Sequence, residues 1–258
     1  YSVSQTADGG YILAGVTTSY GAGQGDAWLV KTDSDGNELW NKTFGGTYYD
    51  EALSVQQTVD GGYILAGVTT SYGAGQGDAW LVKTDSSGDE LWNRTFGGSD
   101  SDWTYSVQKT VDGGYISAGL TESYGAGDED FWLVKTDSDG NELWNKTFGG
   151  TDKDYAYSVQ QTADSGYILA GVTTSYGAGQ GNAWLVKTDS RGNEQWNRTF
   201  GGTDKDYAYS VSQTAGGGYV LAGETSSYGV GNDDLWLVKI DSGGNEQWNK
   251  TFGAGSEA

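Results

Sequence analysis

The chain of 258 residues contains no cysteine, no methionine, no histidine and no proline. Without cysteine there is no disulfide framework, and cysteine usage says nothing about compartment. Without cysteine and histidine, the soft-metal ligands, the thiol nucleophile and the commonest general base are missing. Basic residues are also few. Lys and Arg number 14 against 35 Asp and Glu, for a formal charge of −21. They are scattered without forming a patch, which argues against nucleic acid as a partner. No apolar run approaches the roughly 18 residues of a membrane-spanning helix. No signal peptide is visible, yet the chain begins at Tyr1 without Met. It therefore reads as a processed product or part of something longer.

What is abundant is glycine (44), tyrosine (18) and tryptophan (11). A chain this long can bury roughly three quarters of its unfolded surface. The aromatic residues supply the core, which a disordered acidic chain would lack.

The sequence repeats. "GNELWNKTFGG" at 36–46 returns at 88–98, 140–150, 192–202 and, shortened, at 244–253. "YSV" or "LSV" at 1, 53, 105, 157 and 209 sets a period of 52 and divides a single domain into repeats 1–52, 53–104, 105–156, 157–208 and 209–258. The first repeat reads as four strands: "YSVSQT" (1–6), "GYILAGVT" (10–17), "DAWLVKTD" (26–33) and "ELWNKTF" (38–44). The separators "ADGG", "TSYGAGQG" and "SDGN" carry turn residues. In "DAWLVKTD", Trp28 and Val30 point one way and Ala27 and Leu29 the other, so the sheet is apolar on both faces and needs cover on both. Four short antiparallel strands per repeat of this length is the propeller pattern, in which neighbouring blades cover each other. A solenoid would show distinct capping repeats. Here the end copies resemble the middle ones, as a closed ring requires. The expectation is an all-β chain forming a five-bladed β-propeller with four antiparallel strands per blade. Ten tryptophans fall at two repeat positions and read as inter-blade core. Trp103 breaks register and reads as a loop residue.

The stretch "VKTDSDGNELWNKTFGGTDKDYAYSVQQTADSGYILAGVTT" (134–174) is similar to the repeats of secreted bacterial and archaeal β-propellers. Their blades run roughly Gly-Gly…Asp-Tyr-Ala…Asp-Gly…Tyr…Gly-x-Thr. The Asp-x-x-Gly…Trp element also resembles the turns of quinoprotein-like and Asp-box blades, with altered spacing: Asp33 precedes Gly36 by three residues, and Trp40 follows by four. The resemblance covers nearly the whole chain. It implies the fold and an extracellular or cell-surface location, and no single activity.

Each repeat carries an N-x-T sequon, at Asn41, Asn93, Asn145, Asn197 and Asn249. Duplication of one repeat multiplies its sequon, so five count for less than five independent ones. The outermost strand, however, is where a glycan has room, and it would also blunt a sheet edge. The sequons are expected acceptors in an exported archaeal or eukaryotic protein. Asp33, Asp35 and Glu38 resemble a fragment of a calcium loop, but Ser87, Arg191 and Gly243 replace Asp35 in other repeats. Turn chemistry is the simpler reading, with no metal or other cofactor assigned.

The loop between the second and third strands and the connection between repeats reach the same rim of a propeller. There Tyr20, Tyr72, Tyr124, Tyr176 and Tyr228 approach Asp50, Asp102, Asp154 and Asp206, with Trp103 nearby. Aromatic faces and carboxylates suit a sugar. In the fifth repeat Ala258 stands where the others have Asp, leaving four such junctions. A catalytic site is usually unique, whereas everything here repeats, and the innermost strands "YSVSQT", "LSVQQT" and "YSVQKT" hold no Asp or Glu. The reading is therefore a non-enzymatic surface glycoprotein module, structural or binding glycans and surface polymers multivalently. The alternative is a glycoside-active enzyme on a five-bladed propeller, which would need a carboxylate pair.

Overall fold

The computed structural model describes residues 1–230 and 233–253. The described residues are all-β: five antiparallel four-stranded sheets with a 52-residue repeat, the strand arrangement that a five-bladed β-propeller uses. Blade 1 contains β1 (Ser2–Gln5), β2 (Tyr11–Thr17), β3 (Asp26–Thr32) and β4 (Glu38–Phe44). Blade 2 contains β5 (Asp50–Gln57), β6 (Tyr63–Thr69), β7 (Asp78–Thr84) and β8 (Glu90–Phe96). Blade 3 contains β9 (Asp102–Lys109), β10 (Tyr115–Thr121), β11 (Asp130–Thr136) and β12 (Glu142–Phe148). Blade 4 contains β13 (Asp154–Gln161), β14 (Tyr167–Thr173), β15 (Asn182–Thr188) and β16 (Glu194–Phe200). Blade 5 contains β17 (Asp206–Gln213), β18 (Tyr219–Thr225), β19 (Asp234–Ile240) and β20 (Glu246–Phe252). In each sheet the strands lie in chain order. The chain divides into two compact units, Tyr1–Tyr124 with Val134–Trp144, and Gly125–Leu133 with the residues from Asn145 onward.

The middle strands are apolar on both faces because both are covered. In the first unit, Ile12, Ala14, Ala27, Leu29 and Phe44 of blade 1 pack against Val55, Tyr63, Leu65, Trp80 and Val82 of blade 2. Trp40 closes the outer end of this layer, edge-on to Tyr63 at 5.8 Å. In the second unit the same layer recurs: Ile168, Ala170, Ala183 and Leu185 meet Val211, Tyr219, Leu221, Trp236 and Val238. Each fully buried Leu or Val contributes about 1.5–3 kcal/mol, so these layers rather than local propensity hold the blades.

Two expectations about the innermost strand need correction. It begins at Asp50, Asp102, Asp154 and Asp206, residues expected in the inter-repeat connection. Trp103, expected in a loop, is the second residue of β9 and pairs with Leu120. The early start depends on a bulge that shifts register between Ala52 and Ser54, with counterparts in blades 3, 4 and 5. Gly67 permits it, because a Cβ there would lie 1.8 Å from the Glu51 carbonyl oxygen. The expectation missed this because alternation alone cannot show a bulge.

Candidate functional site

Each described inter-repeat connection threads between two loops. At the first, Gly25 and Tyr49 form a parallel bridge, and Asp50 N–H donates to the Gly25 carbonyl at 2.8 Å. On the other side Thr70 N–H donates to the Tyr49 carbonyl at 2.9 Å, and Tyr48 N–H to Ser71 Oγ at 3.0 Å. The Ser contact repeats at Asp100–Ser123, Asp152–Ser175 and Asp204–Ser227.

Asp50 is the knot of this arrangement. Its carboxylate accepts Ser71 O–H at 2.6 Å, Gly46 N–H at 2.8 Å and the Thr69 hydroxyl. Asp102 and Asp206 accept the equivalent Ser, Gly and Thr donors, and Asp154 accepts Ser175 and Gly150. All four side chains are fully buried. The sequence reading placed these carboxylates at the surface as acceptors for ligand hydroxyls. The structure instead turns them inward, because a strand start beside two loops needs an acceptor for donors that would otherwise be unpaired. Ala258, the fifth counterpart, lies outside the described residues.

The tyrosines do reach the surface. Tyr72 donates its hydroxyl to the Gly45 carbonyl at 2.8 Å, as Tyr124, Tyr176 and Tyr228 do to Gly97, Gly149 and Gly201. The backbone N–H groups of all four donate to the Thr ending the preceding strand. These four residues remain 43–45% exposed, while Tyr20 is 61% exposed. Tyr20, Tyr72, Tyr176 and Tyr228 lie over Trp28, Trp80, Trp184 and Trp236 at 5.4–6.1 Å. Burial of the hydroxyl end pushes the Tyr72 phenol up, and the Asp50, Glu90 and Asp26 carboxylates add to this. The phenol therefore stays protonated and keeps its donor role. The result is a pinned ring with one exposed side, backed by an indole.

A second series of acidic residues caps the loop behind each tyrosine. Asp78 accepts Ala74 N–H at 3.3 Å and Gly75 N–H at 3.0 Å; Asp130 accepts Ala126 N–H at 2.7 Å. In blade 4 the position is Asn182, whose amide instead donates to the Ala178 carbonyl at 2.9 Å. Burial pushes the Asp130 carboxyl up, and nearby Asp154 adds to this. One oxygen of each is buried without a partner.

The sequon asparagines lie on β4, β8, β12, β16 and β20, exposed or half-buried. Asn41, Asn93 and Asn197 accept an indole N–H of the neighbouring strand and donate to the Glu three residues earlier. Asp33 accepts backbone N–H groups of Asp35 and Asn37, both at 2.9 Å, so it organises the turn. Trp103 is half-buried, with its ring 6.2 Å from Tyr105.

One constellation escaped the sequence reading. Lys31, Lys83, Lys135 and Lys187, each on the third strand of its blade, are buried, and each ammonium meets an Asp of the turn between the first and second strands, Asp8, Asp60, Asp112 or Asp164, at 2.9–3.0 Å. The signal was present: in the first four repeats a Lys within an apolar strand stands 23 residues after an Asp. In the fifth repeat Gly216 replaces that Asp, and Lys239 is only half-buried.

No protein-family model matches the chain, and no curated sequence relative does. Solved structures do resemble it. A protein of unknown function from Bacteroides caccae superposes with a TM-score of 0.56 at 14% identity, over 97% of this chain and 80% of that one. Sqt1 from Chaetomium thermophilum gives 0.52 at 11% identity, over 99% of this chain and 61% of Sqt1, so the chain spans less than two thirds of that protein. At these identities the likeness concerns the fold alone.

Proposed function

We propose that the chain is a non-enzymatic module of a secreted or cell-surface glycoprotein, and that it holds hydroxyl-rich polymers, glycans foremost, through its rim tyrosines. The observation carrying this reading is the repetition of one pinned, half-exposed tyrosine at Tyr72, Tyr124, Tyr176 and Tyr228. An aromatic face with fixed orientation stacks on sugar C–H groups at low entropic cost. Each site is weak alone, but several at fixed spacing gain avidity of orders of magnitude on a polymer. Exposed Asp100, Asp152 and Asp204, whose backbone N–H groups bond the Ser preceding Tyr124, Tyr176 and Tyr228, supply hydroxyl acceptors in place of the internal series. Glycoside hydrolysis is disfavoured because it needs a carboxylate pair facing the substrate, and the buried Asp50, Asp102, Asp154 and Asp206 serve internal donors. The surface location rests on the repeat resemblance and on the outer-strand sequons.

A glycan array tests the reading. The parent should bind polymeric glycans, and the variant with Tyr72, Tyr124, Tyr176 and Tyr228 all changed to Ala should lose at least about tenfold in apparent affinity while staying folded. Equal binding by the variant, or no binding by the parent, refutes it. The latter outcome leaves a purely structural scaffold, which the inward-turned carboxylates favour.

A further inference from the structure

In the first unit, blade 1 presents one open apolar face. Tyr11 and Leu13 are 37% and 38% exposed, and Trp28 and Val30 are half-buried. Their counterparts in blade 2, Tyr63, Leu65, Trp80 and Val82, are at most 2% exposed. The sequences do not account for the difference: β2 and β6 are both "YILAGVT", and β3 and β7 are both "DAWLVKT". The blade 2 face is buried because the Ile12, Ala14, Ala27, Leu29 and Phe44 face lies on it. On blade 1 the same place is a groove of about 340 Å³ between Tyr1, Leu13, Trp28 and Val30.

In the second unit, blade 5 presents the opposite half of that interface. Leu235 and Phe252 are 59% and 55% exposed, and Val220, Ala222 and Leu237 half-buried, where the equivalent Ile168, Ala170, Ala183 and Leu185 of blade 4 are fully buried. The chain thus displays both complementary surfaces of its own inter-blade layer.

We propose that the open face of blade 1 docks the blade 5 face of a second copy of the chain, continuing the blade stack head to tail. The established layer supplies the fit. Leu13, Trp28 and Val30 offer the residues that Leu65, Trp80 and Val82 offer, and Val220, Ala222, Leu237 and Phe252 stand for Ile12, Ala14, Leu29 and Phe44. Such an interface is heterologous, with two different surfaces meeting, so assembly grows or closes into a larger ring instead of ending at a symmetric dimer. On a surface it would multiply the rim tyrosines that face a polymer.

Sedimentation velocity tests this. The full chain should show an average mass that rises with concentration. Leu13→Asp and Leu235→Asp should each weaken self-association by at least about 100-fold, because each buries a charge in the contact. Mixed in equal amounts, the two variants should form a heterodimer and stop there, since each keeps one intact face. Circular dichroism confirms that both stay folded. A monomeric parent across the micromolar range overturns the proposal, whether the faces remain open or are covered within the chain. Variants that associate like the parent, or a mixture that stays monomeric, overturn it too.

Discussion

Changing Asp60 to Ala should destabilise the protein at neutral pH by about 2–3 kcal/mol. The Lys83 side chain is only 5% exposed, and its ammonium has two partners, Asp60 at 2.9 Å and the Thr84 carbonyl at 2.7 Å. Breaking a fully buried ion pair from one side costs about 3–5 kcal/mol. The Asp60 side chain is 59% exposed, so water can approach the vacated position, which lowers the figure. The Asp60 oxygens also accept Thr58 O–H and, at 3.1 Å, Gly62 N–H, and the loss of these bonds restores part of the cost. The effect should depend on pH. Burial alone raises the Asp60 carboxyl, but the Thr58 hydroxyl, the Lys83 ammonium and the Gly62 N–H hold it at about 2, below the ordinary 3.8. A depressed folded-state value means that the stabilisation is complete above about pH 4 and disappears as pH falls through 2. Urea unfolding of parent and variant at pH 7, 4 and 2 reads this directly. Blade 5 supplies the reverse experiment. Gly216 lacks the carboxylate, a Cβ there meets nothing within 4 Å, and Lys239 is half-buried. Gly216→Asp should therefore stabilise by about 1 kcal/mol at pH 7. The reasoning fails if Asp60→Ala costs under about 0.5 kcal/mol at pH 7, or if the difference persists undiminished at pH 2.

Asp102→Ala leaves the donors of Ser123, Thr121 and Gly98 without their acceptor and should cost about 2–4 kcal/mol by chemical denaturation. Tyr124→Ala, at a half-exposed ring, should cost less than about 1.5 kcal/mol in the same assay. Asp130→Asn should raise stability at pH 7. Burial lifts the Asp130 carboxyl above its ordinary value, so stability falls as pH rises from that value through the folded one, and an amide removes this loss; unfolding at pH 7 and pH 4 should show the gain shrinking at the lower pH. Gly140→Ala should cost about 1–3 kcal/mol in melting experiments, because φ there is +78° and a Cβ would sit 2.7 Å from the Trp92 ring.

The period of 52, the alternation in "DAWLVKTD" and the turn residues made the four-stranded blade legible, because burial on both faces writes itself into every strand. The direction of side chains at a strand start is not written that way. Asp50 and Tyr72 both read as rim residues in sequence, yet the carboxylate is sealed by Ser71 and Gly46 while the ring stays half out. Which of the two faces outward depends on a bulge and on the closeness of the neighbouring loop, both tertiary facts. The Asp60–Lys83 pair was missed for another reason. A glycine turn already explained the Asp, and a lysine in a strand attracts no notice until its ammonium is seen to be buried.

The central claim, that the rim tyrosines are the contact surface, is tested most directly by the indole N–H signals of the tryptophans in a ¹⁵N correlation spectrum during titration with a polymeric glycan selected on the array. Trp28, Trp80, Trp184 and Trp236 lie under rim tyrosines, whereas Trp40, Trp92 and Trp196 lie on the outermost strands, paired with Lys31, Lys83 and Lys187, three residues along from Trp28, Trp80 and Trp184. The account predicts progressive shifts of the first group with the second unchanged. Shifts confined to the outer-strand indoles, or binding with no shift in the first group, would contradict it.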